Sequence, residues 1–520
     1  MKNANPYREQ VWSTLPRLLA LFDNDPTSPT YGQGDRYRWA WKLIDFGNGT
    51  YQGAAHGLAR LLAAGMLPPE FSGQAILQRI DALFIGAGRL RRADGSMEEA
   101  FPFEASYCVT ALAAYDLLSA VELLQEGFWD RSKVQGGLEV VKPMIEFLCQ
   151  SDEVHAFISN HLATASAALF KWTRLTGEDG RKKGEDLLQR ILLEQSEEGW
   201  YREYQGADPG YQSLCTYYLA DIYRMEPTSE LRDSLERSLE FLWHFAHPDG
   251  SFGGLYGSRN TRFYYPAGIE YLSGSFLEAA SLASFMRQSV QKNSVVTLAA
   301  MDESNLVPMF NSYCWAATTL SDDRPSIAVP ALERGKWRKV YEKAGLLVDK
   351  GPEHYTIISW HKGGLCSHFS TTGTVVNAGA IVSDAKNQLF STQGYDGSNS
   401  LILDGDNVMV ESHFTRMNRE HPTPFQFAVL RFLCLTVMRL GWLRDLIKKM
   451  LVTRLITGVH KAGFVNRRKI ELGPDLRIDD HPELPGGWRL KKKHQQFFAI
   501  HMASQGYWQI QDEGCHDPKV

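Results

Sequence analysis

The chain has 520 residues, a net charge of −5, 44% hydrophobic residues and 22% charged residues. The length predicts two or three domains with a sizeable core, and the composition is that of an ordinary globular protein. The slightly acidic balance argues against a nucleic-acid partner, because such proteins carry a surplus of basic residues. An acidic ligand would therefore have to be held by a local basic site.

The first residues of the chain and its cysteines both indicate the cellular compartment of the protein. Residues 1–9 lack the apolar stretch of a secretory signal. The seven cysteines are scattered and form no CxxC pair, which indicates reduced thiols instead of a disulfide or zinc framework. We therefore expect a cytoplasmic protein.

Turn-like clusters recur along the first half of the chain at intervals of about fifty residues, which is the spacing of stacked helix pairs. The clusters are Gly47-Asn48-Gly49, Asp94-Gly95-Ser96, Ser151-Asp152-Glu153, Glu198-Gly199-Trp200 and Asp249-Gly250-Ser251. Each is followed by a loop rich in polar and aromatic residues. The interval predicts one helix pair per repeat.

Apolar residues before and after these clusters follow helical spacing. One stripe follows the third cluster and another precedes the fifth: Ile158, Leu162, Ala165, Leu169 and Trp172, then Leu231, Leu235, Leu239 and Leu242. We predict an (α/α) toroid of five to six helix pairs over residues 1–288. Loops that recur once per repeat emerge on one edge of such a toroid, where a cleft can form.

Residues 289–520 have a different character. Tyr355–His361, Thr374–Val382 and Leu401–Glu411 alternate or are rich in β-branched residues, and Gly, Asp and Asn turns separate them. Further strand-like segments follow at 468–478 and 495–510. The pattern predicts an antiparallel β-sandwich-like domain, so the fold class is multidomain α+β.

A helical insertion at 425–458 interrupts the strands. It carries six cations against the one anion Asp445, namely Arg431, Arg439, Arg444, Lys448, Lys449 and Arg454. A basic amphipathic helix can lie on an anionic membrane, here the inner membrane surface, or bind an acidic partner. Alternatively, the insertion is a helical hairpin that packs on the sandwich with its charges in water.

Four loop-to-helix junctions carry the residues suited to chemistry: 97–107, 157–161, 200–211 and 256–266. They combine aromatic rings, carboxylates, amides and arginines, which is the mixture that binds sugar rings and their acidic groups. The candidate substrate-binding residues are Glu104, Tyr107, Arg202, Glu203, Asp208, Tyr211, Arg259, Asn260 and Arg262.

A helical toroid followed by a β-sandwich, with Asn160-His161 opening an inner helix and a tyrosine-rich loop later, resembles the heparinase II/III-like and alginate-lyase-like polysaccharide lyases. The basic insertion departs from that pattern. The resemblance implies cleavage of an acidic oligo- or polysaccharide beside a uronic acid by β-elimination, a reaction of surface or exopolysaccharide metabolism. It requires no metal or other cofactor.

The resemblance also implies roles for individual residues. Asn160 would bind the uronate carboxylate, together with Arg259 or Asn260. His161 would be the base or would position it, and Tyr264 or Tyr265 would be the acid, or both base and acid. The sandwich would lend a histidine to the cleft, with His361 and His368 as the candidates.

Structural interpretations of these residues remain open. Asn160 could cap its helix, His161 could be a structural histidine, both tyrosines could belong to the core, and Arg202 and Glu203 could form a local ion pair. Two other functions are also open. A glycoside hydrolase would pair Glu99 or Glu104 with Asp208 or Glu203, whereas a non-catalytic protein of polysaccharide biosynthesis would hold glycan without cutting it.

Overall fold

The structure, a computed structural model, describes residues 5–40, 44–154, 156–320, 326–417, 423–453 and 460–493. The strand predicted at 495–510 and residues 454–458 of the insertion, including Arg454, lie outside this part. The α-helices within it are α1 Pro6–Leu19, α2 Arg36–Trp39, α3 Ala54–Ala63, α4 Gly73–Leu90, α5 Tyr107–Leu124, α6 Arg131–Gln150, α7 Ser159–Thr176, α8 Arg181–Leu193, α9 Pro209–Met225, α10 Ser229–Leu242, α11 Pro266–Leu272, α12 Leu277–Lys292, α13 Glu303–Thr319, α14 Pro424–Leu435 and α15 Gly441–Val452.

Six inner helices form a closed ring. Helix α3 packs on α5, α5 on α7, α7 on α9, α9 on α11 and α11 on α13, and α13 packs back on α3. Helices α4, α6, α8, α10, α12 and α1 lie outside them as partners, so the predicted (α/α) toroid is confirmed and has six pairs. Helix α5 is long and apolar enough to cross a membrane, but 78% of it is buried inside the toroid.

Two of the turn clusters make the same contact. Gly95 and Gly199 both have positive φ angles, 87° and 94°, a conformation that favours glycine. A Cβ atom on Gly95 would lie 1.9 Å from the carbonyl oxygen of Pro143 in α6, and one on Gly199 would lie 2.1 Å from that of Arg237 in α10. These two turns therefore pack directly on the next outer helix, which only glycine allows.

Buried charges cross the axis of the toroid. Asp221 of α9 lies 3.3 Å from the Nζ of Lys171 in α7 and 2.7 Å from the Nε of Arg224, and it accepts a hydrogen bond from Tyr115 of α5. Glu122 of α5 also pairs with Lys171. Burial tends to raise the pKa of Asp221, but Lys171 and Arg224 outweigh it and hold this pKa below its ordinary value. The network ties three inner helices together.

The strands begin after α13. They are β1 Trp337–Tyr341, β2 Leu346–Lys350, β3 His354–Ser359, β4 Leu365–Ser370, β5 Gly373–Asn377, β6 Ala380–Ser383, β7 Leu389–Ser391, β8 Ser400–Asp404, β9 Asn407–Arg416, β10 Lys461–Glu471, β11 Arg477–Pro482 and β12 Arg489–Lys493. The predicted boundary at 288/289 falls inside α12, and the change from helix to strand lies between 319 and 337. Helix α13 is buried almost all round, so it has little amphipathic pattern by which sequence could reveal it.

Two antiparallel sheets form the C-terminal domain, as predicted. The first has the order β1-β2-β3-β4-β5, and the second has the order β11-β10-β9-β7-β6-β12 with β8 paired to β9. One face of the first sheet, which includes Tyr355 and Ile357, packs on Phe245 and Tyr256 of the toroid. Its other face packs on the second sheet. The sandwich therefore rests on the loops that precede α11.

The insertion, α14 and α15, rests on the toroid. Arg431 lies 2.9 Å from Asp45, and Arg444 lies 3.9 Å from Asp94. Lys448 donates to the carbonyl oxygen of Glu104 at 3.3 Å. A cavity of about 220 Å³ lies between the insertion and the loop that contains Asp94. The predicted alternative, a hairpin that packs on the sandwich with its charges in water, is therefore wrong. The insertion packs on the toroid, and its basic side chains bind toroid carboxylates and a toroid carbonyl.

The axial network yields a stability prediction. Replacing Lys171 by Met leaves the buried Asp221 and the half-buried Glu122 without one of their cations, so we expect the free energy of unfolding to fall by about 3 kcal/mol. Lys142→Met is the matched control, because Lys142 forms an exposed pair with Glu178, and exposed pairs contribute little to stability. Urea unfolding followed by circular dichroism measures both. Equal losses in the two variants would contradict the role of the axial network.

Candidate active site

Every inner helix begins at the same end of the ring, so the preceding loops meet there. Two of these loops are joined by backbone hydrogen bonds. Ser159 N donates to the carbonyl of Arg202 at 3.1 Å, and Tyr204 N donates to that of Phe157 at 3.0 Å. This pairing sets the start of α7 beside the loop that precedes α9.

Five side chains meet at this junction, and we call them the tyrosine–arginine cluster: Asn160, Glu203, Tyr204, Tyr211 and Arg259. Asn160 Nδ2 donates to Glu203 Oε2 at 2.8 Å. The guanidinium carbon of Arg259 lies 4.2 Å from the ring centre of Tyr204 and 5.4 Å from that of Tyr211. Both tyrosines are half-buried, so their rings face the cleft.

Burial sets the charge state of the cluster. Burial raises the pKa of Glu203 to about 8, against the opposing effects of the Arg259 cation and the Asn160 amide. It also raises the pKa values of Tyr204 and Tyr211, and again Arg259 opposes the shift. At neutral pH the cluster therefore holds a protonated carboxyl, two protonated phenols and one guanidinium, so it carries net positive charge.

The loop that carries Arg259 is held from two sides. Asp208, which is 1% exposed, accepts from the backbone N–H of Arg259 at 2.9 Å and from that of Tyr211 at 3.1 Å, and Thr261 also donates to it. From the sandwich, Lys362 donates to the carbonyls of Leu255 and Gly257 and to the side chain of Asn260. Asp208 and Asn260, predicted to bind substrate, instead build the loop.

A second group of carboxylates borders the cluster. His161 is half-buried, and its Nδ1 lies 2.6 Å from Glu153 Oε2, which fixes the orientation of the imidazole ring. Glu99 is an exposed residue whose carboxylate accepts a hydrogen bond from the Ser106 hydroxyl at 3.3 Å. Loss of surrounding water and the charge of Glu104 raise the pKa of Glu99 to about 7. Burial raises the pKa of Cys108, the second residue of α5, and the charges of Glu99, Glu153 and Glu203 all raise it further, so the three carboxylates lie near the start of that helix.

Other predicted site residues take structural places around the cleft. Glu104 accepts from the backbone N–H groups of Glu99 and Ala100 at 3.1 and 2.8 Å and so shapes its own loop. Tyr107 is buried near Glu153. Arg202 pairs with Glu194 at 3.2 Å, which corrects the alternative of a local pair between Arg202 and Glu203.

The two predicted catalytic tyrosines lie deeper than expected. Tyr264 is fully buried in the toroid core against Phe252, so the structure does not bring it to the cleft. Tyr265 is 3% exposed, and both it and Tyr211 pack edge-to-face on Phe263, each with its ring centre 5.6 Å from that of Phe263. Arg262 is half-buried near His247. Sequence periodicity could not separate these tyrosines from Tyr211, because all follow aromatic loops at a helix start.

The sandwich histidines have different positions. His361 Nδ1 lies 3.0 Å from the hydroxyl of Tyr395, whose ring packs so closely on Gly206 that a Cβ there would lie 2.4 Å from that hydroxyl. His361 thus supports the loop of Tyr204 from behind. His368 lies between the strands of the sandwich, bonded to Thr356 and to the carbonyl of Pro474, and is not brought to the cleft.

No family model matches the sequence, and no curated protein matches it. Solved structures do match the fold. Chondroitin AC lyase of Streptomyces coelicolor A3, in complex with chondroitin sulphate, has a TM-score of 0.55 at 11% identity, and the match covers 92% of this chain and 66% of that one. The chain thus spans just under two thirds of the length of that lyase. The likeness shows the fold of toroid plus sandwich.

Two further structures match over less of this chain. Cellobiose 2-epimerase from Bacillus thermoamylovorans B4167 has a TM-score of 0.44 at 10% identity, covering 60% of this chain and 98% of that chain. An unsaturated glucuronyl hydrolase from Streptcoccus agalactiae, complexed with dGlcA-GalNAc6S, has a TM-score of 0.39 at 10% identity, covering 61% and 92%.

The buried carboxyl of Glu203 yields a pH prediction. Its folded-state pKa of about 8 exceeds the ordinary value of 4.5, so the folded protein keeps a proton that the unfolded chain loses between these values. Stability from this group is therefore fully present below pH 4.5 and is lost as the pH rises to about 8. We expect Glu203→Gln to flatten the fall in Tm across this window, as measured by scanning calorimetry.

The control for this experiment is Glu178→Gln, at an exposed glutamate on the outside of the toroid. It should keep the wild-type dependence of Tm on pH. If Glu203→Gln and Glu178→Gln gave the same dependence, Glu203 would not be the protonated buried group described above.

Proposed function

We propose that the protein is a polysaccharide lyase that cleaves a uronate-containing glycan by β-elimination in the cleft at the tyrosine–arginine cluster. The observation that carries this proposal is the meeting of the Asn160 amide and the Arg259 guanidinium with two phenols, Tyr204 and Tyr211. An amide and a cation suit a uronate carboxylate, and phenols suit proton transfer beside it.

The field of the toroid favours an anionic substrate. The six inner helices direct their N-termini, with their partial positive charge, toward the cleft. Because burial keeps Glu203 protonated at neutral pH, that carboxyl does not neutralise Arg259. The guanidinium therefore retains its charge for a substrate carboxylate.

The reaction follows from these positions. Asn160 and Arg259 bind the uronate carboxylate and draw electron density from it, which makes the proton on the adjacent C5 more acidic. His161, oriented by Glu153, accepts that proton. The electron pair forms the C4–C5 double bond as the bond from C4 to the glycosidic oxygen breaks, and Tyr211 donates its phenolic proton to the leaving oxygen.

The fold is consistent with this chemistry. The likeness to chondroitin AC lyase extends over 92% of the chain, through both toroid and sandwich. That lyase was solved with chondroitin sulphate, an acidic polysaccharide. We accordingly propose acidic polysaccharides as the substrate class.

The proposal predicts the effects of single substitutions. On uronate-containing polysaccharides the wild type should release a product with the ultraviolet absorbance of an unsaturated uronate. Tyr211→Phe, His161→Ala and Arg259→Met should each lower kcat by at least about a hundredfold, because each removes a proton-transfer or charge-stabilising group. Tyr264→Phe is the matched control and should retain activity, since Tyr264 is buried in the core.

The individual variants separate the roles. Activity lost in Tyr211→Phe but kept in His161→Ala would make the tyrosine both base and acid. Activity lost in Tyr264→Phe but kept in Tyr211→Phe would contradict the assignment of the cleft. Absence of ultraviolet absorbance with every uronate polymer tested would contradict the lyase.

A glycoside hydrolase is the second candidate, because Glu99 and Glu203 border the same cleft and burial raises their pKa values to about 7 and about 8. A protonated carboxyl can act as the general acid of glycoside hydrolysis. This function predicts new reducing ends without ultraviolet absorbance, and loss of that activity in Glu203→Gln but not in Tyr211→Phe. The opposite pattern would exclude it.

A further inference from the structure

The outward surface of the insertion is strongly apolar. We call it the insertion face and define it by Phe425, Val429 and Phe432 of α14 and Trp442, Leu446 and Met450 of α15. These side chains are between 43% and 76% exposed. Of the 23 exposed large apolar side chains in the described part of the chain, nine lie within residues 425–450. Such a concentration marks an interaction surface, unlike single exposed apolar residues.

Helical spacing shows that this face points away from the protein. In α15 the residues Trp442, Leu446 and Met450 are four apart and form one stripe, and Arg444 and Lys448 lie on the opposite side, where they contact the toroid. In α14 the stripe of Phe425, Val429 and Phe432 lies opposite Cys434, which is buried. Helix α15 is thus held by one side and presents an apolar stripe on the other, whereas α14 is exposed around most of its circumference, including Phe427 at 58%.

The charge of the insertion is opposite to that of the chain. Residues 424–453 contain five cations and one anion, whereas the whole chain has a net charge of −5. Arg431, Arg444 and Lys448 face toroid carboxylates. Lys449 is exposed, and Arg439 is exposed with its guanidinium carbon 4.9 Å from the ring centre of Phe103; neither makes an ion pair among the residues that the structure describes. No described carboxylate neutralises these two charges, which lie beside the apolar stripes.

We propose that the insertion face docks into the interfacial region of an anionic lipid bilayer. Apolar stripes with large aromatic side chains and neighbouring cations are what an interfacial helix presents to such a bilayer. The aromatic and aliphatic groups enter the acyl boundary, and Arg439 and Lys449 meet the lipid phosphates. The docking does not depend on which reaction the cleft performs.

The position of the insertion relates the bilayer to the cleft. Lys448 contacts Glu104, whose carboxylate shapes the loop that carries Glu99 at the cleft. Docking through α14 and α15 therefore brings this edge of the cleft close to the lipid surface. The substrate class that fits this arrangement is a glycan held at a membrane.

Vesicle flotation with the full-length chain tests the proposal. The wild type should bind vesicles of phosphatidylcholine and phosphatidylglycerol more tightly than vesicles of phosphatidylcholine alone. Phe425→Ser/Phe432→Ser/Trp442→Ser should weaken binding to both by at least about tenfold, because three large apolar groups no longer insert. Arg439→Gln/Lys449→Gln should lower only the preference for the anionic vesicles, by about tenfold.

The matched control is Phe128→Ser/Leu193→Ser/Leu277→Ser, which removes three exposed apolar side chains elsewhere on the toroid. It should bind like the wild type, and both triple variants should keep the wild-type circular dichroism. No vesicle binding by the wild type, or equal binding by both triple variants, would overturn the proposal. So would a lipid-free dimer that only the first triple variant dissociates, since a second copy would then occupy the face. The lyase activity is assayed on soluble glycan without lipid, so a failure of the proposed reaction can be distinguished from a failure of membrane docking.

Discussion

Closure of the ring of inner helices is the constraint on which the rest of the structure depends. The inner helices run in one direction, so when α13 packs back on α3 all six N-termini lie at one end. The loops that precede them must then share that end, and their side chains converge into one cleft. The charges of Lys171, Asp221 and Arg224 join three of these helices, α5, α7 and α9, and Gly95 and Gly199 let two of the turns pack on the next outer helix.

The two domains contribute differently to the cleft. The toroid supplies the groups that can touch a substrate, whereas the sandwich fixes the loops that carry them. Lys362 donates hydrogen bonds to the loop that carries Arg259. Tyr395, which is hydrogen-bonded to His361, packs on Gly206 in the loop of Tyr204. Groups held by packing and by second contacts of this kind keep their geometry when substrate binds. A toroid without the sandwich would lose this support.

The toroid could be predicted from sequence because its signals are local: turn glycines at regular intervals and apolar stripes of helical period. The junctions that carry Asn160 and Arg259 follow from the same repeat. The choice of Tyr211 over Tyr264 could not be predicted from sequence. Both tyrosines follow aromatic loops at a helix start, and only packing decides which ring enters the core. Helix α13 is buried on nearly every side, so it shows little amphipathic pattern. Helix α14 is apolar but exposed, so its sequence suggests a burial that the fold does not provide.

The central claim is that the tyrosine–arginine cluster binds a uronate carboxylate, and a crystal structure of the Tyr211→Phe variant with a uronate-containing oligosaccharide tests it most directly. We predict that one carboxylate lies within hydrogen-bonding distance of both the Asn160 amide and the Arg259 guanidinium, with C5 of that sugar facing His161. An oligosaccharide bound elsewhere on the toroid, or one whose carboxylate points away from these two residues, would contradict the account.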